Sequence, residues 1–191
     1  MYMEQEKKED MRVKRTRALL SQALLSLINR HSFHSVSVKE ICEEAMVHRA
    51  TFYAHFNDKY DLLAYSLKQI AEEFRFSEGS MEEIHLKLFD VAMKYKRLFS
   101  QLLLEERDSL RYVIRKEMTA GMKQHLLSET QKKSASSEMV MAAFTGATLG
   151  VLNWWIENNM ALNAEEVYNE LKQVFHWEHL EKIQEAFAGN E

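Results

Sequence analysis

The sequence predicts an all-α protein, and three observations support this class. The 191 residues contain no proline and only five glycines, so the two strongest helix breakers are almost absent. Apolar residues recur at spacings of three and four along most of the chain, which is the period of an amphipathic helix. Hydrophobic residues make up 46% and charged residues 28%, a balance that favours a packed core over disorder.

The first predicted helix runs from Arg12 to His31. Its apolar positions recur at helical spacing and are Leu20, Ala23, Leu24, Leu27 and Ile28. Its first turns are basic and carry Arg12, Lys14, Arg15 and Arg17. Residues 31–35 then form a short break.

Two short helices follow. Ser37 with Glu40 three residues later forms a capping-box pattern, which predicts that a helix starts at this serine. One face of that helix is apolar and consists of Val38, Ile41, Cys42 and Ala45. A tight turn is predicted at 46–48 and a second short helix at 49–55, with Phe52 and Phe56 turned inward. Helices of this length are unstable alone in water, so we expect them to pack on the first helix as a helix-turn-helix unit at 36–55.

A fourth helix is predicted to begin near Lys59, capped by Asn57 or Asp58. Residues 77–80 form the only obvious break in composition after it. The remainder again has helical periodicity, and we place helices near 80–94, 95–104, 106–129, 135–158 and 163–187. We expect a first domain at 12–72 and a second, larger helical domain at 73–191.

Charge and cysteine content narrow the function classes. The chain has a net charge of −4, but residues 12–59 carry eight Lys/Arg against four Asp/Glu. Phosphate binding needs a local basic face rather than a basic protein. Cys42 is the only cysteine, so an intramolecular disulfide is excluded and a cysteine-based zinc site is not expected. The charged N-terminal segment lacks the apolar core of a signal peptide, which favours a cytoplasmic location.

The segment from Ser37 to Ala45, the run from Val47 to Phe56, and Lys59 resemble the TetR family of bacterial transcriptional regulators. The resemblance covers about Arg12 to Ala71, and its most specific part is Thr51-Phe52-Tyr53-Ala54-His55-Phe56 followed by Lys59. Cys42 stands where an alanine is usual, one small buried residue for another. Family members usually have glycine where this chain has Met46, which leaves the turn geometry open because methionine lacks the freedom of glycine at positive φ.

The resemblance implies that the second short helix enters the DNA major groove. It assigns base contacts to the start of that helix, at His48, Arg49 and Ala50, with Arg49 suited to guanine and Ala50 to a thymine methyl. Phosphate contacts are expected from residues with hydroxyl, imidazole or ammonium groups, namely Ser37, Lys39, Thr51, Tyr53, His55 and Lys59. Arg12 and Lys14 are expected to follow the backbone or to enter the minor groove.

Each role has a structural alternative. Tyr53 could belong to the core, and His55 could cap a helix end. Arg49 could pair with Glu43 or Glu44. Cys42 is expected to be a packing residue rather than a redox sensor.

The resemblance also implies a helical C-terminal domain that forms a homodimer and often binds a small-molecule effector. Residues 139–156 carry no charge, and they contain a ridge of small residues, Ala142, Ala143, Gly146, Ala147 and Gly150. A membrane span is the alternative, but Thr145, Thr148 and Asn153 lower the hydropathy. We expect a dimer through 137–157 and 163–180.

Apolar side chains between about 80 and 155 are the candidates for an effector pocket, with ordinary core packing as the alternative. They are Phe89, Met93, Phe99, Tyr112, Met118, Met122, Phe144 and Trp155.

No catalytic motif is present, and the pair His176 and His179 lacks a third metal ligand. We therefore expect neither enzymatic activity nor a cofactor nor a bound metal.

The sequence thus predicts a ligand-responsive homodimeric repressor that binds double-stranded DNA. Two alternatives are an effector-independent DNA-binding factor and a helical ligand-binding or adaptor protein without DNA binding.

Overall fold

The computed structural model describes residues 11–73, 81–104, 108–126 and 135–174. Within these ranges the regular secondary structure consists of helices without strands, so the described part of the chain is all-α, as predicted. The chain divides after Ser66 into two compact units. The domain boundary expected from the sequence, after residue 72, lies six residues further along the same helix.

The first unit contains three helices and the start of a fourth. They are α1 (Met11–Ile28), α2 (Val38–Ala45), α3 (Arg49–His55) and α4 (Lys59–Glu73), and the last of these continues into the second unit. Each begins within one residue of its predicted start. Asp58 caps α4, since its Oδ1 accepts hydrogen bonds from the amides of Tyr60 (2.8 Å) and Asp61 (2.9 Å).

The first unit has an apolar core to which every helix contributes. Its most deeply buried members are Leu20, Leu24, Ile28, Ile41, Phe52, Leu62 and Leu63. Two buried serines lie among them: Ser21 Oγ donates to Ser66 Oγ (2.8 Å), which donates to the carbonyl of Leu62 (2.9 Å). Both hydroxyls are therefore satisfied without water.

The turn between α2 and α3 contains Met46 in the left-handed region, with φ of 53°. The amide of Val47 donates to the carbonyl of Cys42 (2.9 Å), and the amide of Met46 donates to the carbonyl of Glu43 (3.2 Å). These two bonds form a Schellman motif, which usually has glycine at this position. The turn thus takes the geometry that glycine would give it, while the methionine side chain is 94% exposed.

We expect Met46→Gly to raise the free energy of unfolding by about 0.5–1 kcal/mol, because it removes the steric cost of a Cβ at positive φ and exposes no core. Ala54→Gly, at an exposed position inside α3, is the matched control and should lower it by a similar amount. Urea denaturation of both variants measures the two effects. A Met46→Gly variant as destabilised as Ala54→Gly would contradict this reading of the turn.

The second unit contains the end of α4 and five further helices. They are α5 (Met81–Lys94), α6 (Lys96–Leu104), α7 (Asp108–Leu126), α8 (Ala135–Glu157) and α9 (Ala164–Val174). Their bounds follow the predicted ones closely, although the end predicted for the last helix, at 187, lies outside the described residues. Lys68 of α4 forms an ion pair with Glu117 of α7 (3.5 Å).

Trp155 fixes the connection between α8 and α9. It is fully buried, and its Nε1 donates to the carbonyl of Leu162 (2.9 Å). Asn163 then caps α9: its Oδ1 accepts from the amide of Glu166 (3.0 Å), whose carboxylate accepts from the amide of Asn163 (2.8 Å).

The uncharged segment 139–156 lies within α8. Among the described residues, no helix is both long enough and apolar enough to cross a membrane. The membrane span considered from the sequence is therefore not supported.

Candidate nucleic-acid interface

One face of α3 is fixed by aromatic packing. Phe52 is fully buried, and its ring lies 5.9 Å from that of Phe56. The Phe56 ring in turn lies 5.4 Å from that of Tyr65 on α4, and the guanidinium of Arg17 on α1 lies over both rings (5.8 and 5.7 Å). A seven-residue helix is thereby held against two longer ones.

The opposite face of α3 is open to solvent. Arg49, Ala50 and Tyr53 occupy it at positions one and four residues apart, and His48 is exposed just before the helix. Tyr53 is 53% exposed, with its ring edge-on to Phe52 (5.3 Å). The core alternative for Tyr53 is therefore wrong: the ring rests on the core and the hydroxyl is available at the surface.

The two carboxylates that could have paired with Arg49 have other partners. Glu44 accepts hydrogen bonds from Arg30 (2.6 Å) and Ser26 (2.9 Å), and the hydrogen bond from Arg30 holds the pKa of Glu44 below its ordinary value. Glu43 lies 3.7 Å from Lys39. In the part of the chain that the structure describes, neither pairs with Arg49, so its structural alternative is not realised.

Ser37 has a structural role. The structure confirms the capping box: Ser37 Oγ accepts from the amide of Glu40 (3.2 Å), and the Glu40 carboxylate accepts from the amide (2.8 Å) and hydroxyl (2.7 Å) of Ser37. Both hydrogens of Ser37 are thus donated to Glu40. A phosphate oxygen needs a donor, so the phosphate contact expected of Ser37, which stays a prediction, would require the capping box to open.

The capping box predicts a pH dependence. Hydrogen bonds from Ser37 lower the pKa of Glu40 from its ordinary value of 4.5. A carboxyl whose pKa is lower in the folded state stabilises the fold above pH 4.5, and this contribution is lost as the pH falls through the lowered pKa. Wild type should therefore be more stable than Glu40→Gln at pH 7, and the difference should shrink below pH 4.5. Thermal unfolding over this range measures it; a pH-independent difference would contradict the assignment.

Lys59 also differs from its expected role. Its Nζ donates to three backbone carbonyls of the α1–α2 connection, those of Phe33 (2.8 Å), His34 (3.0 Å) and Val36 (2.8 Å). It also lies 4.7 Å from the centre of the Phe33 ring. An ammonium has three hydrogens, and all three are used within the protein. Burial lowers the pKa of Lys59, and the nearby Glu40 carboxylate opposes that effect. Lys59 therefore has a structural role, and the predicted phosphate contact, which stays a prediction, would require these bonds to break.

The other predicted DNA contacts lie on the surface of the same unit. Arg12, Lys14 and Lys39 are exposed, and Thr51 and His55 are half-buried on α3. Cys42 is buried, and burial raises the pKa of its thiol, as expected for a packing residue.

Sequence reasoning missed the bond of Ser26 and Arg30 to Glu44, which ties the end of α1 to α2. The pairing joins residues 14 and 18 positions apart, and no local pattern indicates it.

Comparisons with known proteins agree with this geometry. Residues 20–66 match the family model described as bacterial regulatory proteins of the tetR family. Residues 79–176, just over half of the chain, match a model described as a transcriptional regulator C-terminal region. The chain belongs to the TetR family of transcriptional regulators.

Several proteins that are similar to this chain differ from it widely in sequence. The uncharacterized HTH-type transcriptional regulator YxbF of Bacillus subtilis (strain 168) is 32% identical over 71 residues; the match spans 37% of this chain and about a fifth (19%) of that protein. A TetR transcriptional regulator from Streptococcus agalactiae 2603V superposes with a TM-score of 0.60 at 16% identity, covering 85% of this chain and 94% of the other. The dihydroxyacetone kinase operon activator DhaS gives 0.57 at 14% identity, covering 83% and 93%. These structures share the fold.

The candidate effector-pocket residues of this TetR-family regulator differ in how far their side chains are buried. Phe89, Phe99, Phe144 and Trp155 are buried, and Met118 is half-buried. Met93 is 41% exposed and Tyr112 is 56% exposed, so both are removed from the set of interior lining residues. The side chain of Met122 lies outside the described residues, as do His176 and His179.

Proposed function

We propose that this TetR-family regulator is a homodimeric repressor that reads a twofold-related DNA site through α3 and releases it when a small effector binds. The observation that carries the proposal is the exposed face of α3, with Arg49, Ala50 and Tyr53 on a helix whose other face is locked into the core. A recognition helix needs this combination of a rigid base and an open polar face.

The contacts with DNA follow from side-chain chemistry. Arg49 can donate two hydrogen bonds to guanine, Ala50 can contact a thymine methyl, and His48 lies beside them. Phosphate contacts are expected from the exposed residues Arg12, Lys14, Lys39 and Tyr53, and from Thr51 and His55, which are half-buried on α3. Double-stranded DNA in the cytoplasm is the partner.

A second copy of the chain supplies the other half of the DNA site, and the outer face of α8 is where we place it. Ala142, Gly146 and Gly150 are exposed along that face, and Trp154 is 50% exposed at its end. A Cβ added at Gly146 or Gly150 would meet no described atom within 4 Å, so packing within the described protomer does not require glycine there. Close approach of a partner helix would require it.

Glycine variants test the dimer. Gly146→Leu and Gly150→Leu should shift the protein from dimer to monomer, measured by analytical ultracentrifugation. Gly121→Leu is the matched control, because Gly121 of α7 also has no atom within 4 Å of an added Cβ but is not on α8. Dimers of unchanged strength in both α8 variants would contradict this interface.

The direction of regulation needs its own experiment. A dimer bound to a site that overlaps a promoter would block the access of polymerase, and this is the form of repression that we propose. DhaS shares the fold and is named as an activator, so the fold does not fix the direction. Transcription in vitro from a template carrying the selected DNA site should fall as the protein is added. An increase would contradict repression and leave DNA binding intact.

A further inference from the structure

A pair of threonine hydroxyls joins α7 to α8, and a third threonine lies one helical turn further along α8. Thr119 Oγ1 of α7 donates to Thr145 Oγ1 of α8 (3.3 Å). Thr148 lies one helical turn beyond Thr145 on the same face of α8. Thr119 is half-buried, whereas Thr145 is 1% exposed and Thr148 is 0% exposed, so both threonines of α8 lie in the core.

The hydroxyl of Thr148 is buried with no hydrogen-bond partner in the described part of the chain. A helical serine or threonine can donate to the carbonyl one turn earlier. Thr16, Ser66 and Ser100 all do so here, to the carbonyls of residues 12, 62 and 96. The orphaned hydroxyl of Thr148 therefore differs from its counterparts in the same protein, and a buried donor without an acceptor is unfavourable.

The surroundings of Thr148 restrict what could satisfy it. Residues 139–156 of α8 contain no charged side chain, and the buried neighbours of Thr148 one turn away on α8 are Phe144 and Leu152. On α7, the carboxylate of Glu117 is paired with Lys68. Among the described residues of α7 and α8, a charged ligand group would lose its hydration at Thr148 without gaining a counter-ion, whereas a neutral carbonyl or hydroxyl oxygen would gain a donor.

We propose that Thr148, with the Thr119–Thr145 pair, forms the polar end of the effector site, and that the effector is an uncharged, largely apolar molecule bearing a carbonyl or hydroxyl group. This inference rests on the proposed function, because it names the class of ligand that the regulator senses. The Thr148 hydroxyl donates to the ligand oxygen, and the apolar wall of α8 packs against its hydrocarbon part.

A matched series of six-carbon compounds tests the proposal by thermal unfolding of the full chain. Hexan-2-one and hexan-1-ol in the millimolar range should raise the melting temperature of wild type in a dose-dependent way. Hexanoate and hexylammonium, with the same carbon chain, should not. No shift with either neutral compound, or equal shifts with the charged ones, would overturn the proposal.

Variants separate the role of the hydroxyl from that of the fold. Thr148→Val should melt at a higher temperature than wild type without ligand, because it removes an orphaned donor at nearly constant volume, and it should lose the shift with hexan-2-one. Thr148→Ser should keep that shift, and so should the control Thr16→Val, whose hydroxyl bonds within α1. A Thr148→Val variant that keeps the full shift would overturn the site.

DNA binding without ligand, measured by fluorescence anisotropy, stays informative in either case. If wild type binds DNA but its melting temperature does not respond to the neutral compounds, this site alone is refuted. If wild type does not bind DNA, the proposed function is refuted.

Discussion

Replacing Arg49 by alanine is expected to remove the preference for one base pair in each half of the DNA site. A bidentate contact from arginine to guanine contributes about 1–3 kcal/mol of discrimination. The expected result is a weaker complex with the preferred sequence and little change with a sequence already altered at that base pair. The physical basis is the exposure of Arg49 on α3, with Glu43 and Glu44 engaged elsewhere.

Anisotropy titrations at a stated salt concentration measure this effect, since phosphate contacts make affinity depend strongly on salt. Tyr53→Phe gives a contrasting result: it keeps the ring on Phe52 but removes the hydroxyl, so it should weaken binding to all sequences alike. Lys172→Ala, at an exposed position on α9, is the control for loss of one positive charge. If Arg49→Ala keeps the base preference of wild type, the assigned reading residue is wrong.

Lys59→Met is expected to cause the largest loss of stability. It keeps most of the aliphatic stem but removes the three hydrogen bonds that the ammonium donates to the carbonyls of Phe33, His34 and Val36. Hydrogen bonds from a charged donor contribute about 1.5–3 kcal/mol each, although water can reach part of this site and the burial of the ammonium opposes them. We therefore expect a loss of about 2–3 kcal/mol in the free energy of unfolding, measured by urea denaturation.

Lys39→Ala is the matched control. Lys39 is an exposed lysine of the same unit whose ion pair with Glu43 should contribute less than about 1 kcal/mol. The comparison also separates folding from DNA binding: Lys59→Met should bind DNA normally at temperatures where it is folded. Wild-type stability with weakened DNA binding would restore Lys59 as a phosphate contact and contradict its structural role.

The features predicted correctly in the first unit are local. The capping box of Ser37 and Glu40 involves residues three apart, so its pattern is visible in the sequence and the structure confirms it. Helical periodicity likewise placed α1 to α4 and their buried faces.

The role of Lys59 could not be predicted in this way. Its acceptors lie 23 to 26 residues earlier in the chain, and only tertiary packing brings their carbonyls to the ammonium. The turn at Met46 involved competing local effects: side-chain sterics disfavour positive φ, and two backbone hydrogen bonds favour it. The hydrogen bonds outweigh the steric cost, so the turn keeps the geometry of a helix-turn-helix. The methionine at position 46 therefore gives no support to the alternative of an adaptor protein that does not bind DNA.

In the second unit, the sequence predicted the helices better than the sites. Met93 and Tyr112 are apolar residues on amphipathic helices, as buried lining residues would be, yet they lie at the surface. Periodicity identifies an apolar stripe, but which residues at its edge are covered depends on the packing of neighbouring helices. The orphaned hydroxyl of Thr148 has no signature in the sequence, because tertiary packing decides whether a helical threonine finds a hydrogen-bond partner.

The central claim is that two copies of α3 read twofold-related DNA. Selection of preferred sites from a pool of random duplex DNA tests this most directly, with Arg49→Ala selected in parallel. The account predicts that wild type enriches an inverted repeat whose half-sites are centred about one helical turn, or a multiple of it, apart, and that the variant loses one base preference in each half. The account would be contradicted if wild type enriched no sequence. It would also be contradicted if Arg49→Ala enriched the same inverted repeat with every base preference of wild type.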